Sequence, residues 1–310
     1  MPETNLKQML ESKEFVVTCE VSPPHGSDAS AFLERVGLVK DYCDAVNITD
    51  NVRGISNMSS MACAHLALEA GAEPVMQMTM RDRNRIIFES DLYGAHALGI
   101  RNLLFIRGDL PPKDMQLPAK MVFEMNSIQA LLLAKHLESG FDFSGSELEG
   151  SPSFFLGATF NPFADPMNEH IARVEKKSEA GAEFFQTQAI YDVDHFERFM
   201  EQISGLNARV IAGVIPLRNL EMAHYINDEV SEIQVPIEFI KRIEAAGEGK
   251  DEEERELAMQ KEGLGIAREI IEAVRKIEGV DGVHIMGVGW TESIPNLVRE
   301  AGLFPRPRRE

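Results

Sequence analysis

Residues 103–112 read Leu103-Leu104-Phe105-Ile106-Arg107-Gly108-Asp109-Leu110-Pro111-Pro112. An apolar, β-type run stops abruptly at Arg-Gly-Asp, and two prolines forbid continuation of the strand. A charged pair therefore stands at the carboxyl end of a strand that reads as buried. In α/β folds ligands bind at that edge, because the loops there converge on one crevice or mouth. Most other β-type runs of the chain also end in polar residues.

Those runs lie near Phe15–Val21, Asp44–Thr49, Pro74–Met80, Asn102–Ile106, Phe154–Phe160, Phe184–Ile190, Arg209–Ile215 and Gly282–Met286. Several are apolar nearly throughout, as expected of parallel strands covered on both faces. Between them, residues 29–40, 58–70, 83–98, 121–138, 167–180, 194–204 and 252–277 carry apolar residues at helical spacing. Gly71, Gly99, Gly181 and Gly279 each follow a periodic segment and mark helix ends. Alternation of this kind predicts parallel strands joined by right-handed crossovers. Eight units in 310 residues favour an α/β fold of the (β/α)8 TIM-barrel type, which needs ~250 residues plus insertions. A doubly wound open sheet is the alternative, weakened because no GxGxxG follows the first strand. No P-loop, HExxH or GxSxG is present, and no linker divides the chain, so residues 1–310 are expected to form one domain.

The net charge of −19 argues against nucleic acid, whose phosphates require a basic face. Residues 244–256, EAAGEGKDEEERE, read as a solvated turn and helix start. Cys19, Cys43 and Cys63 show no CxxC spacing and no His/Cys cluster, so neither a disulfide framework nor a metal site is expected. The amino terminus has no apolar signal core, and no run approaches the roughly 20 residues that cross a bilayer. A cytoplasmic protein is the expectation.

In a barrel the strand ends form one rim. They supply Glu20 before Ser22-Pro23-Pro24; Thr49, Asp50 and Asn51; Gln77, Thr79, Arg81 and Asp82; Arg107, Gly108 and Asp109; Thr159 and Asn161; and Gln186 with Gln188, which period-two alternation puts on one side. Acids, amides and an arginine on one mouth make a plausible polar active site. Asp28 and Asp82 have a simpler reading as helix caps. Glu20 lies inside a strand, where a carboxyl needs a partner or an altered pKa, and perturbed acids cluster at sites.

Glu20 with Pro23-Pro24, then Arg107-Gly108-Asp109-Leu110-Pro111-Pro112, then Thr187-Gln188, in this order, resemble the 5,10-methylenetetrahydrofolate reductases. The resemblance spans nearly the whole chain and implies a single flavin-binding (β/α)8 barrel. It implies ping-pong chemistry: NADH reduces the flavin at N5 and leaves, and methylenetetrahydrofolate then takes the hydride after its five-membered ring opens to a 5-iminium cation. Glu20 matches the general acid that protonates N10, a task for a glutamate whose pKa burial raises toward neutrality. Asp109 matches the anion beside the flavin that stabilises the cation. Gln188 matches the amide ligand of pterin and nicotinamide. Thr49, Gln77, Arg107, Gly108, Asp109, Ala158 and Lys177 fall at flavin-contact positions, Gln77 standing where many members have a histidine.

Two departures bear on the electron donor. Met222 and Ile226 occupy the substrate-facing positions of a helix that offers a glutamine and an aromatic in well-studied bacterial members. Trp290, the single tryptophan, stands where such members have an arginine. This ending resembles the enzymes of acetogenic and related anaerobes, which implies a small electron-delivering partner subunit, a homo- or hetero-oligomer, and FMN as an alternative to FAD. The chain ends near the close of the barrel, so no regulatory domain of the eukaryotic kind is expected. Proline dehydrogenase, another flavin barrel, is disfavoured by Glu20 together with RGDLPP. A barrel subunit that binds folate or flavin but depends on its partner is the remaining alternative.

Overall fold

Eight short segments pair in parallel in chain order, and the last closes on the first. In the computed structural model, which describes residues 4–112, 116–117, 119–230 and 233–307, these are β1 (Val16–Val21), β2 (Ala45–Ile48), β3 (Pro74–Thr79), β4 (Asn102–Ile106), β5 (Phe155–Phe160), β6 (Phe184–Ala189), β7 (Arg209–Val214) and β8 (Val280–Ile285). They form a closed barrel in that order, every neighbouring pair parallel. Each coincides with a run identified from the sequence to within two residues at either end. The helices are α1 (Asn5–Glu11), α2 (Ser30–Val39), α3 (Ser60–Glu69), α4 (Arg85–Ala97), α5 (Ser127–Glu138), α6 (Met167–Glu179), α7 (Val193–Gln202), α8 (Leu220–Glu229), α9 (Ile237–Gly247), α10 (Glu252–Val274) and α11 (Ile294–Glu300). The architecture is the (β/α)8 barrel, and the open sheet is excluded by closure of β8 on β1.

Helix α5 begins later than its apolar pattern suggests. Asn126 accepts from the backbone N–H groups of Ile128 and Gln129, both at 3.0 Å, and the Gln129 side chain accepts from Asn126 N at 2.9 Å. This reciprocal box fixes the start at Ser127. The acidic stretch behaves as expected: α9 ends at Gly247, and Asp251 caps α10 by accepting from Glu254 N at 3.0 Å. Helices α1, α9 and α11 were not anticipated.

The strands divide the apolar residues between two cores. One lies between the sheet and the helices. The other is inside the barrel at its amino end, where Val16, Ala45, Val75, Leu104, Phe155, Phe184 and Ile211 form a separate cluster with Leu6, Met9 and Leu10 of α1. Helix α1 thus plugs the bottom. Each of its three buried side chains contributes about 1.5–3 kcal/mol of transfer free energy. Its first N–H groups are satisfied from another element: Asn5 N and Leu6 N donate to the Glu73 carboxylate at 2.8 and 2.9 Å. Phe184 stacks on Phe155 with centroids 4.9 Å apart and occupies the space a side chain at Gly157 would need. With its lower end sealed, the barrel opens only toward the carboxyl ends of its strands. Among the described residues, no helix is long and apolar enough to cross a membrane, and no cluster of His, Cys, Asp or Glu could hold a metal ion.

Candidate active site

Above the apolar plug the barrel interior turns polar. Thr18, Asn47, Gln186 and His284 are all essentially inaccessible to solvent, and they hydrogen-bond to one another. Asn47 Nδ2 donates to Gln186 Oε1 at 2.6 Å, Gln186 Nε2 donates to Asn47 Oδ1 at 3.1 Å and to Thr18 Oγ1 at 3.2 Å, and Thr18 Oγ1 lies 2.9 Å from His284 Nδ1. The alternation of the strands places these residues in one layer and Glu20, two positions above Thr18 on β1, in the next. The Glu20 side chain is 20% exposed and its Oε2 lies 4.0 Å from His284 Nε2. Burial pushes the Glu20 carboxyl up to about 7 and His284 down to about 3. At neutral pH the imidazole is therefore uncharged, and Glu20 stands half-protonated over a layer of neutral dipoles.

The rim beside it is built by the loops after β2, β3 and β4. The β3–β4 ladder continues past the strand ends, Arg81 N donating to Arg107 O at 3.0 Å. Gly108 then turns the chain at φ +88°, where a Cβ would come within 2.9 Å of Thr79 Cβ and 3.0 Å of Arg81 Cβ. Only glycine fits this close approach without strain. Asp109 is exposed on the far side of the turn, its Oδ2 accepting from Arg53 N at 3.3 Å. Pro111 packs on Gly54 so closely that a Cβ there would lie 2.7 Å from Pro111 Cα, which locks the β2 and β4 loops together. Arg107 lies over the Phe123 ring at 5.3 Å, and Arg53 over Tyr225 of α8 at 5.6 Å.

Beneath this rim runs an ionic network that the sequence reading did not assemble. Arg81, almost wholly buried, binds the Asp82 carboxylate through Nε at 2.7 Å and Nη2 at 2.6 Å, Asp109 O at 2.8 Å and Asn51 O at 2.9 Å. Arg83 joins Asp50 at 2.5 Å and Asp91 at 2.9 Å. Asp50 also accepts from Thr79 N and Oγ1 at 2.9 and 3.1 Å. Asp82 is thus a partner of Arg81 and not a helix cap, the cap of α4 being Asn84. Asp28 is not the N-cap of α2 either, that position being Ala29, though it accepts from Ser30 N at 2.9 Å just before the helix. One signal of the network was available in the sequence: Arg81, Arg83, Asp50 and Asp82 fall within a few residues of the ends of β2 and β3, too many charges to bury unless they pair.

The other expected site residues are placed as follows. Thr49 follows β2, and its buried Oγ1 has no hydrogen-bond partner. Gln77 is nearly buried on β3. Lys177, near the end of α6, is half-buried and donates from Nζ to Thr159 O at 2.6 Å, at the carboxyl end of β5. Gln188 is half-buried on β6. Here three steps of β6 match two of β7, so a bulge falls on Thr187-Gln188 and interrupts the alternation that would put Gln186 and Gln188 on one side. Gly213 permits this, since a Cβ there would meet Thr187 O at 2.5 Å.

Ala158 and Ile226 are buried in the core between sheet and helices, so neither side chain is offered to the mouth. Met222 is half-buried at the start of α8. Trp290 is half-buried in the turn after β8, its carbonyl accepting from Ser293 N and Oγ. A cleft of about 880 Å³, lined by Lys13, Phe15, Arg209 and Asp281 among others, lies at the amino ends of β7 and β8. That is the end of the barrel opposite the strand-end residues.

Two curated relatives are similar along most of the chain. One is "Probable methylenetetrahydrofolate reductase (NADPH)" of Caenorhabditis elegans, 24% identical over 96% of this chain and 44% of its own length. The other is "5,10-methylenetetrahydrofolate reductase" of Salmonella typhimurium strain LT2, 25% identical over 93% of this chain and 91% of its own. The chain thus spans less than half of the nematode relative and nearly all of the bacterial one. Among solved structures, oxaloacetate acetylhydrolase superposes with a TM-score of 0.52 at 11% identity, covering 96% of this chain and 83% of that one, a likeness of fold alone. The family profile described as methylenetetrahydrofolate reductase matches residues 5–302. With a profile match from the first helix to beyond the last, the chain belongs to the methylenetetrahydrofolate reductase family.

Proposed function

We propose that this chain reduces 5,10-methylenetetrahydrofolate to 5-methyltetrahydrofolate at the carboxyl mouth of the barrel, with a flavin bound there and Glu20 as the general acid. The observation that carries the reading is the Glu20 carboxyl, held at the mouth with burial raising it to about 7. At that value it is a proton donor matched to neutral pH. The residues present fit a flavin. Thr49 Oγ1 is a buried polar atom awaiting a partner, and Lys177 Nζ stands at the end of β5, where it suits a phosphate oxygen. A bound flavin supplies the hydride chemistry. The protein's own residues do the rest: Glu20 delivers a proton to N10 of the folate as the imidazolidine ring opens, Asp109 provides the anion for the resulting cation, and Gln188 offers an amide to the pterin.

Residues 1–310 act in this reading as one catalytic domain, in the cytoplasm. The donor to the flavin, FAD or FMN, is either NADH directly or a small electron-delivering partner within a homo- or hetero-oligomer. Trp290 in the turn after β8, in place of an arginine, favours the partner. Anaerobic stopped-flow on the flavin-loaded protein tests both halves. Reoxidation of chemically reduced flavin by methylenetetrahydrofolate in the parent, with loss of that step in Glu20→Gln, supports the reading. Parent-like reoxidation in Glu20→Gln removes Glu20 from the chemistry. Bleaching of oxidised flavin by NADH decides between self-sufficiency and a partner.

A further inference from the structure

We propose that His284 is the positioning residue of Glu20, locked in its Nε2–H tautomer by the chain Asn47–Gln186–Thr18, and that this N–H steadies the carboxylate left after proton delivery. The inference rests on the reading of Glu20 as the acid and adds the group that governs it.

Counting protons along the chain leads there. Gln186 Nε2 has two hydrogens and two acceptors, Asn47 Oδ1 at 3.1 Å and Thr18 Oγ1 at 3.2 Å. Asn47 Nδ2 closes the amide pair on Gln186 Oε1 at 2.6 Å, so the two amides are oriented relative to each other, with Gln186 Nε2 turned to Thr18. Thr18 Oγ1 therefore accepts from Gln186, and its single hydrogen goes to its other neighbour, His284 Nδ1, at 2.9 Å. A ring nitrogen that accepts a hydrogen bond carries no proton. The proton of the neutral ring is then on Nε2, the nitrogen 4.0 Å from Glu20 Oε2. Burial keeps a second proton off the ring at neutral pH.

The separation of 4.0 Å exceeds a hydrogen bond. It closes when the carboxyl turns toward the ring or through one water. The protonated carboxyl has little need of this donor, whereas the carboxylate does. His284 thus favours the state that follows proton transfer and gives up no proton of its own. Thr18 and His284 are register partners across the β1–β8 seam, so closure of the barrel is what builds the relay. His284 is the ionisable group that faces Glu20 from β8, and Asn47, its register partner on β2, is neutral.

The test uses the flavin-loaded protein labelled with ¹⁵N-histidine, His284 being assigned by its absence in His284→Gln. The imidazole ¹⁵N shifts should report one neutral tautomer, Nε2–H, from about pH 5 to about pH 9, and Thr18→Val should give a mixture. The titration midpoint of Glu20, read from its infrared carboxyl band, should rise by about one unit in His284→Leu and return close to the parent in His284→Gln, which keeps an N–H donor. An Nδ1–H tautomer in the parent overturns the proposal, as does an unmoved midpoint in His284→Leu. Should His284→Leu fail to fold, the tautomer of the parent and of Thr18→Val still decides. These readouts need no turnover, so a Glu20→Gln enzyme that retained its rate would remove the acid assignment while leaving the His284–Glu20 relation separately judged.

Discussion

Glu20 is held where its ionisation opposes folding, and the size of that opposition follows from its titration. Burial moves the carboxyl from 4.5 to about 7 in the folded protein, while the unfolded chain titrates near the ordinary value. The folded state thus holds a proton that the unfolded state has lost between these two values. Stability relative to a side chain that cannot ionise is intact below about pH 4.5, declines as pH rises, and levels off above about pH 7. A separation of about 2.5 units, at ~1.4 kcal/mol per unit, gives a loss of about 3 kcal/mol across that window. Glu20→Gln removes the ionisation and nearly preserves the shape. Urea unfolding of both proteins should therefore show a stability difference that grows in favour of the variant by about 3 kcal/mol between pH 4.5 and pH 8. Asp44, Glu73 and Asp281 are also pushed up by burial, but they are common to both proteins and cancel in the difference. The variant should be both inactive in folate reduction and more stable at neutral pH, a trade that marks a strained functional group. Parallel stability curves for the two proteins would mean that Glu20 is solvated as an ordinary surface acid, and the argument for its role would fail with them.

Three further perturbations test other parts of the structure. Arg306 ties the carboxyl-terminal segment to the barrel base through Asp44, at 2.7 Å with both side chains buried, so Arg306→Ala should destabilise by about 3–5 kcal/mol in urea melts because Asp44 is left unpaired. Leu10→Ala in the α1 plug should cost about 2–5 kcal/mol in the same assay with parent-like flavin spectra, since the cavity opens at the end remote from the mouth. Gly108→Ala forces a Cβ onto Thr79 and Arg81 at positive φ, and should cost about 1–3 kcal/mol; it should also weaken flavin retention on gel filtration, whereas parent-like retention would remove Gly108 from the cofactor site.

The strands were legible because both their faces are covered: runs such as Leu103–Ile106 are apolar without interruption and end in charge or proline. Helix α1 was hidden by its brevity. Only Leu6, Met9 and Leu10 are buried, too few to show a period, and their partners are strand residues spread along most of the chain. Glu20, Asp109 and Gln188 stand out as candidate site residues because each interrupts or ends an apolar run. Ala158 and Ile226 show the limit of that reading: a motif position fixes a place on the backbone, while the side chain goes where strand alternation or helix phase sends it, here into the core. His284 was concealed differently. It sits between Val283 and Ile285 and looks like one more residue of a buried strand. Its meaning comes from Thr18 and Glu20, which closure of the barrel brings beside it.

That closure also explains why the layer beneath Glu20 is made of amides, a hydroxyl and a neutral imidazole. A lysine or arginine there would pair with the carboxyl, hold it ionised and abolish it as an acid. An apolar layer would raise the pKa further and leave the departing proton with no stabilised conjugate base. Neutral groups with satisfied hydrogen bonds meet both demands: they add no charge, and their dipoles have fixed directions. The amide pair of Asn47 and Gln186 joins β2 to β6 across the barrel, and Thr18 passes its orientation on to His284. In the proposed mechanism the barrel interior is a rigid mount that sets one proton's affinity. Substitutions in this layer should therefore shift the pH dependence of the reaction more than they shift the binding of folate, a separation that kcat and KM measured across pH would reveal.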